Sequence, residues 1–204
     1  MEVATLTLAE EAEPSVSERI IYSHEDATRF IVGTIGGPGE RAFFLQVSSV
    51  FGTTTVAVEK SQVIALVERL RELITEVRRK KLASLDELEL AASVDNENLQ
   101  FPLDEEFRAG VMGISWDPQS QRVAIEIQSI ADGEFTELIS DDEELTGVED
   151  PPDLLRLTIR LNQVKGFCNR AESVLQAGRS VCPFCGLPID STGHLCPRAN
   201  GYRR

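Results

Sequence analysis

Three of the four cysteines and one of the two histidines fall in a short run near the end of the chain, CPFCGLPIDSTGHLC, from Cys182 to Cys196. A Cys-x-x-Cys turn points two sulfurs at one ion, and Gly186 lets the chain bend around them. Residues Pro188 to Gly193 supply a short return that brings His194 and Cys196 to the same point. Three thiolates and one imidazole fill the four tetrahedral positions that Zn²⁺ prefers. With no position left for substrate, the expected centre is structural. So short an arm has little core of its own, so metal binding and ordering are expected as one event. A redox pair at Cys182 and Cys185 would leave His194 and Cys196 without a role. An iron–sulfur cluster suits the histidine and this spacing less well. These two, and a cluster that binds no metal, are the alternatives.

Directly after the last candidate ligand comes PRANGYRR. Arg198, Arg203 and Arg204 can engage carboxylates or phosphates, and Tyr202 adds amphipathic contact area. These four are the candidate partner-binding residues, set against a frayed polar end. The remaining chemistry-bearing residues read more plainly. Cys168 lies on an apolar helix face and is expected in the core as a small hydrophobe. His24, in YSHEDATRF, has no nucleophile motif beside it and reads as a solvated loop histidine. Phe30-x-x-Gly33-x-x-Gly36 lacks the dinucleotide-binding spacing, so its glycines are expected to serve bends or close packing. The acids from Asp141 to Glu144 lack the order and the glycine of a calcium loop. Trp116 reads as a strand-end aromatic over the core. No catalytic and no cofactor-binding residue emerges apart from the metal ligands.

The chain has 204 residues, 42% of them hydrophobic, enough to bury a core without crosslinks. No apolar run approaches the roughly 18 residues of a membrane span. The acidic N-terminus lacks the basic-then-apolar order of a signal peptide, so a cytoplasmic location is expected. There, clustered cysteines read as metal ligands before disulfides. A net charge of −14 repels nucleic acid and anionic lipid, which sets nucleic acid aside as a partner. The charge is uneven: acids crowd Asp132 to Asp153, and arginines without acids close the chain.

Positioning falls to strands and helices. Thr28–Gly36, Ala42–Ser49 and the TTVAVEK stretch read as strands separated by Gly- and Pro-bearing turns. Val63, Leu66, Val67, Leu70, Leu73, Ile74 and Val77 recur at helical spacing. Ser61 is the expected cap, and Arg78–Lys81 give a basic end. A polar linker runs through Asn98. The plan then repeats with strands at Phe107–Trp116, Arg122–Ile130 and Leu154–Leu161. A helix capped by Asn162 follows and carries Phe167 and Cys168, with Gly178 expected to stop it in a left-handed conformation. Phe30-x-x-Gly33-x-x-Gly36 matches Phe107-x-x-Gly110-x-x-Gly113, and Val56–Val63 matches Leu157–Val164. The two offsets differ by about the length of the acidic stretch, which lies between the matched segments. The expected fold is therefore α+β: two β-β-β-α pseudo-repeats packed as antiparallel sheets with two helices, plus a small zinc-ribbon-like arm. The expected divisions are an acidic leader over 1–18 and a first unit with its linker over 19–98. A second unit with an acidic loop at 132–153 covers 99–178, and the metal arm and basic tail cover 179–204.

The segments RSVCPFCGLPIDSTGHLCPRANGYRR, FIVGTIGGPGERAFFLQV and VAVEKSQVIALVERLREL resemble a family of bacterial proteins of unknown function, best known from actinobacteria. The resemblance runs from about Ile20 to Arg204 and is most specific at its C-terminal end. It implies Cys182, Cys185, His194 and Cys196 as metal ligands and carries over no catalytic residue. It also implies a shared pathway with a histidine-phosphatase-like protein and one related to phosphatidylinositol kinases, as such genes commonly accompany the family. Two functions follow as expectations. One is a non-enzymatic zinc-containing interaction or regulatory factor with a protein partner. The other is an enzyme, or enzyme subunit, acting on a phosphorylated small molecule in a cleft between the two units.

Overall fold

A computed structural model describes residues 19–37, 39–130, 137–139, 151–178, 182–187, 189 and 193–199. The leader, with a short strand expected near Val3–Leu8, and most of the acidic stretch lie outside the described residues. Tyr202, Arg203 and Arg204 lie outside them as well.

The fold is mixed α+β, with seven strands and three helices among the described residues. β1 (Ile21–His24), β2 (Arg29–Ile35), β3 (Ala42–Ser49) and β4 (Gly52–Val58) lead into α1 (Lys60–Lys80). A short α2 (Leu85–Glu89) and an extended stretch come next. Then β5 (Phe107–Asp117), β6 (Arg122–Ser129) and β7 (Leu154–Ile159) lead into α3 (Leu161–Gln176). All seven strands join one sheet in the order β1-β7-β6-β5-β4-β3-β2. The expectation of antiparallel sheets needs correcting on two counts. There is a single sheet, and the β4–β5 and β1–β7 pairs are parallel. The first arises because the chain crosses over after α1 and re-enters beside β4 in the same direction. The second comes from β1, whose four residues were too few and too mixed to show alternation.

β1 and β2 occupy opposite edges of the strand order, yet only residues 25–28 link them. Five extended steps reach at most about 18 Å. Six strand spacings in a flat sheet would need about 29 Å. The sheet must therefore curl until its edges approach. The link records the closure: Ala27 N–H donates to Thr158 O of β7, and Thr28 N–H to Ser48 O of β3, both at 2.9 Å.

Inside the curl lies one main apolar cluster, with Val32, Leu45, Val56, Ile125 and Leu157 from the sheet facing Leu70 and Phe167 from the helices. Phe167 stacks on Phe30 with ring centroids 4.4 Å apart. Cys168 and the half-buried Trp116 belong to this cluster, as expected. Both helices have their N-caps two residues before the expected ones. Gln62 Oε1 accepts from Glu59 N–H at 2.8 Å, and Gln163 Oε1 accepts from Arg160 N–H at 2.9 Å. Glu59 and Arg160 are thus the N-caps, and Ser61 and Asn162 sit inside the first turns. The two glutamine amides also tie the helices to the sheet. Gln62 Nε2 donates to Ala109 O and Gln163 Nε2 to Ala27 O, each at 2.8 Å. Lys81, at φ 53°, closes α1 behind its basic turn. Gly178 does not stop α3 in a left-handed conformation: Ala177, at φ −66°, caps the helix by donating to Ser173 O.

The stretch read as a polar linker is a fixed strap. Leu99 covers Ile31, Phe44 and Ala57 on the outer face of β2–β4. Buried Gln46 clasps the strap backbone, accepting from Gln100 N–H at 2.8 Å and donating to Gln100 O at 3.2 Å. A Cβ on Gly33 would lie 2.5 Å from Leu99 Cγ. Asp95 pairs with Arg29 at 2.6 Å, and this contact holds its carboxyl below the usual carboxylate range. Propensity alone could not reveal a segment whose order comes from these tertiary contacts.

The second half carries the same device. A Cβ on Gly113 would lie 2.5 Å from Leu138 Cδ2, and buried Gln128 accepts from Ile139 N–H at 3.0 Å. The registers agree as well. Gly33 faces Phe44 with Gln46 two residues on, and Gly113 faces Glu126 with Gln128 two residues on.

His24 is not a solvated loop residue. It ends β1 and is 4% exposed, with Nδ1 2.8 Å from Ser49 Oγ and Nε2 2.8 Å from Thr54 Oγ1. The neighbouring His-Glu-Asp run looks polar, but the closure of the sheet draws the ring inward. Burial lowers its pKa from 6.5. A histidine kept neutral by folding contributes stability above its unfolded pKa, and this stability is lost as pH falls below 6.5 toward the lowered folded value. The thermal midpoint is expected to drop between neutral pH and mildly acidic pH, and His24→Gln should flatten that drop. Parallel profiles for the two proteins would contradict this account.

Candidate metal centre

The arm after α3 is shaped by two glycines and a pair of backbone hydrogen bonds. Gly186 N–H donates to Cys182 O at 2.8 Å, closing the Cys-x-x-Cys turn, and Cys182 N–H donates to Leu187 O at 2.8 Å. Gly186 at φ 75° and Gly193 at φ 88° take left-handed conformations that a side chain would strain. The turn and the segment from Gly193 to Cys196 bring Cys182, Cys185, His194 and Cys196 together, with all four ligand atoms within 4.8 Å of one another. Cys182 Sγ lies 3.7 Å from Cys196 Sγ, and Cys185 Sγ lies 3.2 Å from His194 Nε2. Two sulfurs bound tetrahedrally at about 2.3 Å from zinc stand about 3.75 Å apart, so the donor set fits such an ion in number, type and spacing.

The surroundings favour thiolate. Burial pushes the Cys182 thiol up, but the N–H groups of Cys185 and Phe184 and the neighbouring thiols outweigh it and bring it to about 7. The Leu187 N–H favours the Cys185 thiolate, yet burial and the competing thiols hold that group higher. Cys182 is thus the readier of this pair to ionise, and a bound dication would favour both thiolates. Ala199 N–H points at Cys196 Sγ from 3.3 Å, the kind of outer contact that fixes a ligand's orientation. Cys168 stands apart: burial raises its thiol to about 11, and it lies outside the ligand group.

Of the tail, Arg198 is described. Its Nη1 donates to Phe184 O at 3.0 Å, bending the chain back over the Cys-x-x-Cys turn. Sequence reading passed over the apolar residues between the ligands. Phe184, Leu187 and Leu195 are 62%, 50% and 87% exposed. Their positions within and beside the Cys-x-x-Cys and His-x-Cys pairs were the available signal.

The other candidates resolve into structure. Gly33 lies beneath Leu99, and Gly36 takes a turn at φ 98°. An open groove of about 450 Å³ on the outer face is lined by His24, Asp26, Asp117, Ser120, Arg122 and Arg156, among others. Its two arginines are paired: Arg122 with Asp26 at 2.9 Å and Arg156 with Glu126 at 2.7 Å. Asp117 accepts from Ser120 Oγ at 2.6 Å, which keeps its carboxyl ionised below the usual range. No helix among the described residues is long and apolar enough to cross a membrane.

No curated protein and no solved structure matches the chain. A family model described as Protein of unknown function (DUF3090) matches residues 22–196, from β1 to the last of the four clustered ligands. Matched over well more than half its length, the chain belongs to the DUF3090 family.

Proposed function

We propose that this protein is a non-enzymatic interaction or regulatory factor whose zinc-ribbon-like arm is ordered by one structural Cys3His zinc. The observation that carries the reading is the convergence of four ligand atoms within 4.8 Å, with no position left for a substrate. The outer-face groove supports it from the other side, because its arginines are engaged in ion pairs. Behind the arm, the fold reads as a duplicated β-β-β-α unit. The paired Gly–Leu–Gln clasps and the matching Gln62 and Gln163 contacts support that origin. The partner is a protein and the setting the cytoplasm, with phosphatase-like or kinase-like products of neighbouring genes as the first candidates.

Elemental analysis of protein handled free of adventitious metal tests the centre. About one zinc per chain is expected from four-ligand stoichiometry. Limited proteolysis after chelation should then cut within the arm before the body. A zinc content near zero would sink the proposal.

A further inference from the structure

The β3–β4 hairpin turns on Val50 and Phe51, which are 85% and 78% exposed. Two-residue hairpin turns favour glycine, asparagine or aspartate. Here Gly52, at φ 127°, takes the unusual backbone conformation, and Ser49 Oγ accepts from Phe51 N–H at 3.2 Å. The turn therefore needs neither apolar side chain for its own geometry, and it holds both outward. The strap extends this surface. Thr53 Oγ1 donates to Gln100 Oε1 at 3.0 Å, and the next residue, Phe101, is 70% exposed. Asp104 and Glu105 follow, both exposed.

The metal arm offers the complement. Phe184, Leu187 and Leu195 are exposed around the ligands, with Arg198 folded over them. Residues 179–204 hold four arginines and one aspartate, a net +3 in a chain of −14, so the rest carries −17.

The helix that precedes the arm ends far from the hairpin tip. Gln163 bonds Ala27 O, Phe167 stacks on Phe30, and Arg170 Nε donates to Val32 O at 2.8 Å, so α3 runs along β2 in the same direction. The six steps from Arg170 to Gln176 carry α3 about 9 Å farther on. The tip lies the other way, beyond Ser48, which pairs with Arg29 at the start of β2. About 25 Å of protein thus separates the end of α3 from the tip.

We infer that the metal-ordered arm of one chain docks on the Val50–Phe51 tip and acidic strap of a second copy. Because α3, which leads into the arm, ends on the side opposite the tip, a two-fold axis lets each chain supply one of each, and the dimer closes. This inference rests on the metal reading above.

Sedimentation velocity of the zinc-loaded full chain tests it over a wide concentration range. Wild type should form a dimer. Phe51→Ser and Leu195→Ser should each weaken dimerisation by about tenfold or more, the loss typical of an interface anchor, while keeping zinc. Arg198→Glu should weaken it too, and adding Glu105→Lys should restore part of the loss. A chain that holds zinc yet stays monomeric overturns the docking alone, as does a dimer indifferent to both apolar substitutions. A chain that holds no zinc overturns the metal reading and the docking with it.

Discussion

Cys182→Ser is expected to strip the protein of zinc, whereas Cys168→Ser should leave its zinc content unchanged. Both residues are buried cysteines, so burial alone does not separate them. The geometry does. Cys182 Sγ stands 3.7 Å from Cys196 Sγ within the four-ligand group, and Cys168 lies among the core residues of α3. Losing one of four ligands from a structural zinc site removes a large share of a binding free energy of about 10–16 kcal/mol. Affinity should fall by far more than the roughly tenfold to hundredfold seen for outer contacts. No described residue of the arm belongs to the main cluster, so the body should keep its circular dichroism and nearly its melting temperature. Cys168→Ser should show the reverse, with zinc retained and stability reduced by a buried hydroxyl, about 1–3 kcal/mol. Elemental analysis and thermal melts on the same samples read both quantities. Equal zinc in the two variants would remove Cys182 from the centre.

Gly166→Ala should be among the most damaging single changes in the fold. A Cβ there would stand 1.8 Å from Ser93 O and 2.8 Å from Ser93 C, a clash with backbone that no rotamer relieves. The strap is pinned at this point. Ser93 N–H donates to Asn162 O at 2.8 Å, Lys165 Nζ reaches Leu88 O at 2.8 Å, and Arg170 Nη1 reaches Asp95 O at 2.7 Å. Alanine improves helix propensity by about 1 kcal/mol, yet displacing the strap should cost about 3 kcal/mol or more. Gly178→Ala is the control, since its nearest neighbour, Leu175 O, is 3.5 Å away. Urea unfolding should place the Gly166 variant well below wild type and the Gly178 variant beside it. A Gly166→Ala protein as stable as wild type would mean that the strap does not approach α3 so closely.

The strands from β2 to β7 and both long helices were legible because their order is local. Apolar periodicity, turn residues and basic helix ends each act over a few positions, and their boundaries came within about three residues of those observed. The convergence of Cys182, Cys185, His194 and Cys196 was legible for a related reason: the chemistry of four donors is written into their spacing. What escaped was order supplied from a distance. β1 exists because β7 waits beside it, His24 is buried because the sheet curls, and the strap is fixed by Gln46, Asp95 and Leu99. Helix caps failed for a subtler reason. Ser61 and Asn162 have capping side chains, but the glutamines at 62 and 163 reach back and set the start two residues earlier.

The short link between the two edges of the sheet also governs when the fold can be completed. β1 pairs with β7 from Ile21↔Leu154 to His24↔Leu157, so its partner lies 133 positions down the chain. The hairpins β2–β3–β4 join near neighbours and can assemble while the rest is still being made. The seam must wait for nearly the whole chain, and until then β1 has no partner strand. Such distant pairing is slow, because loop-closure entropy is spent before the contacts return it. During synthesis the nascent protein therefore lacks the β7–β1 side of its sheet, which can be added only when β7 emerges.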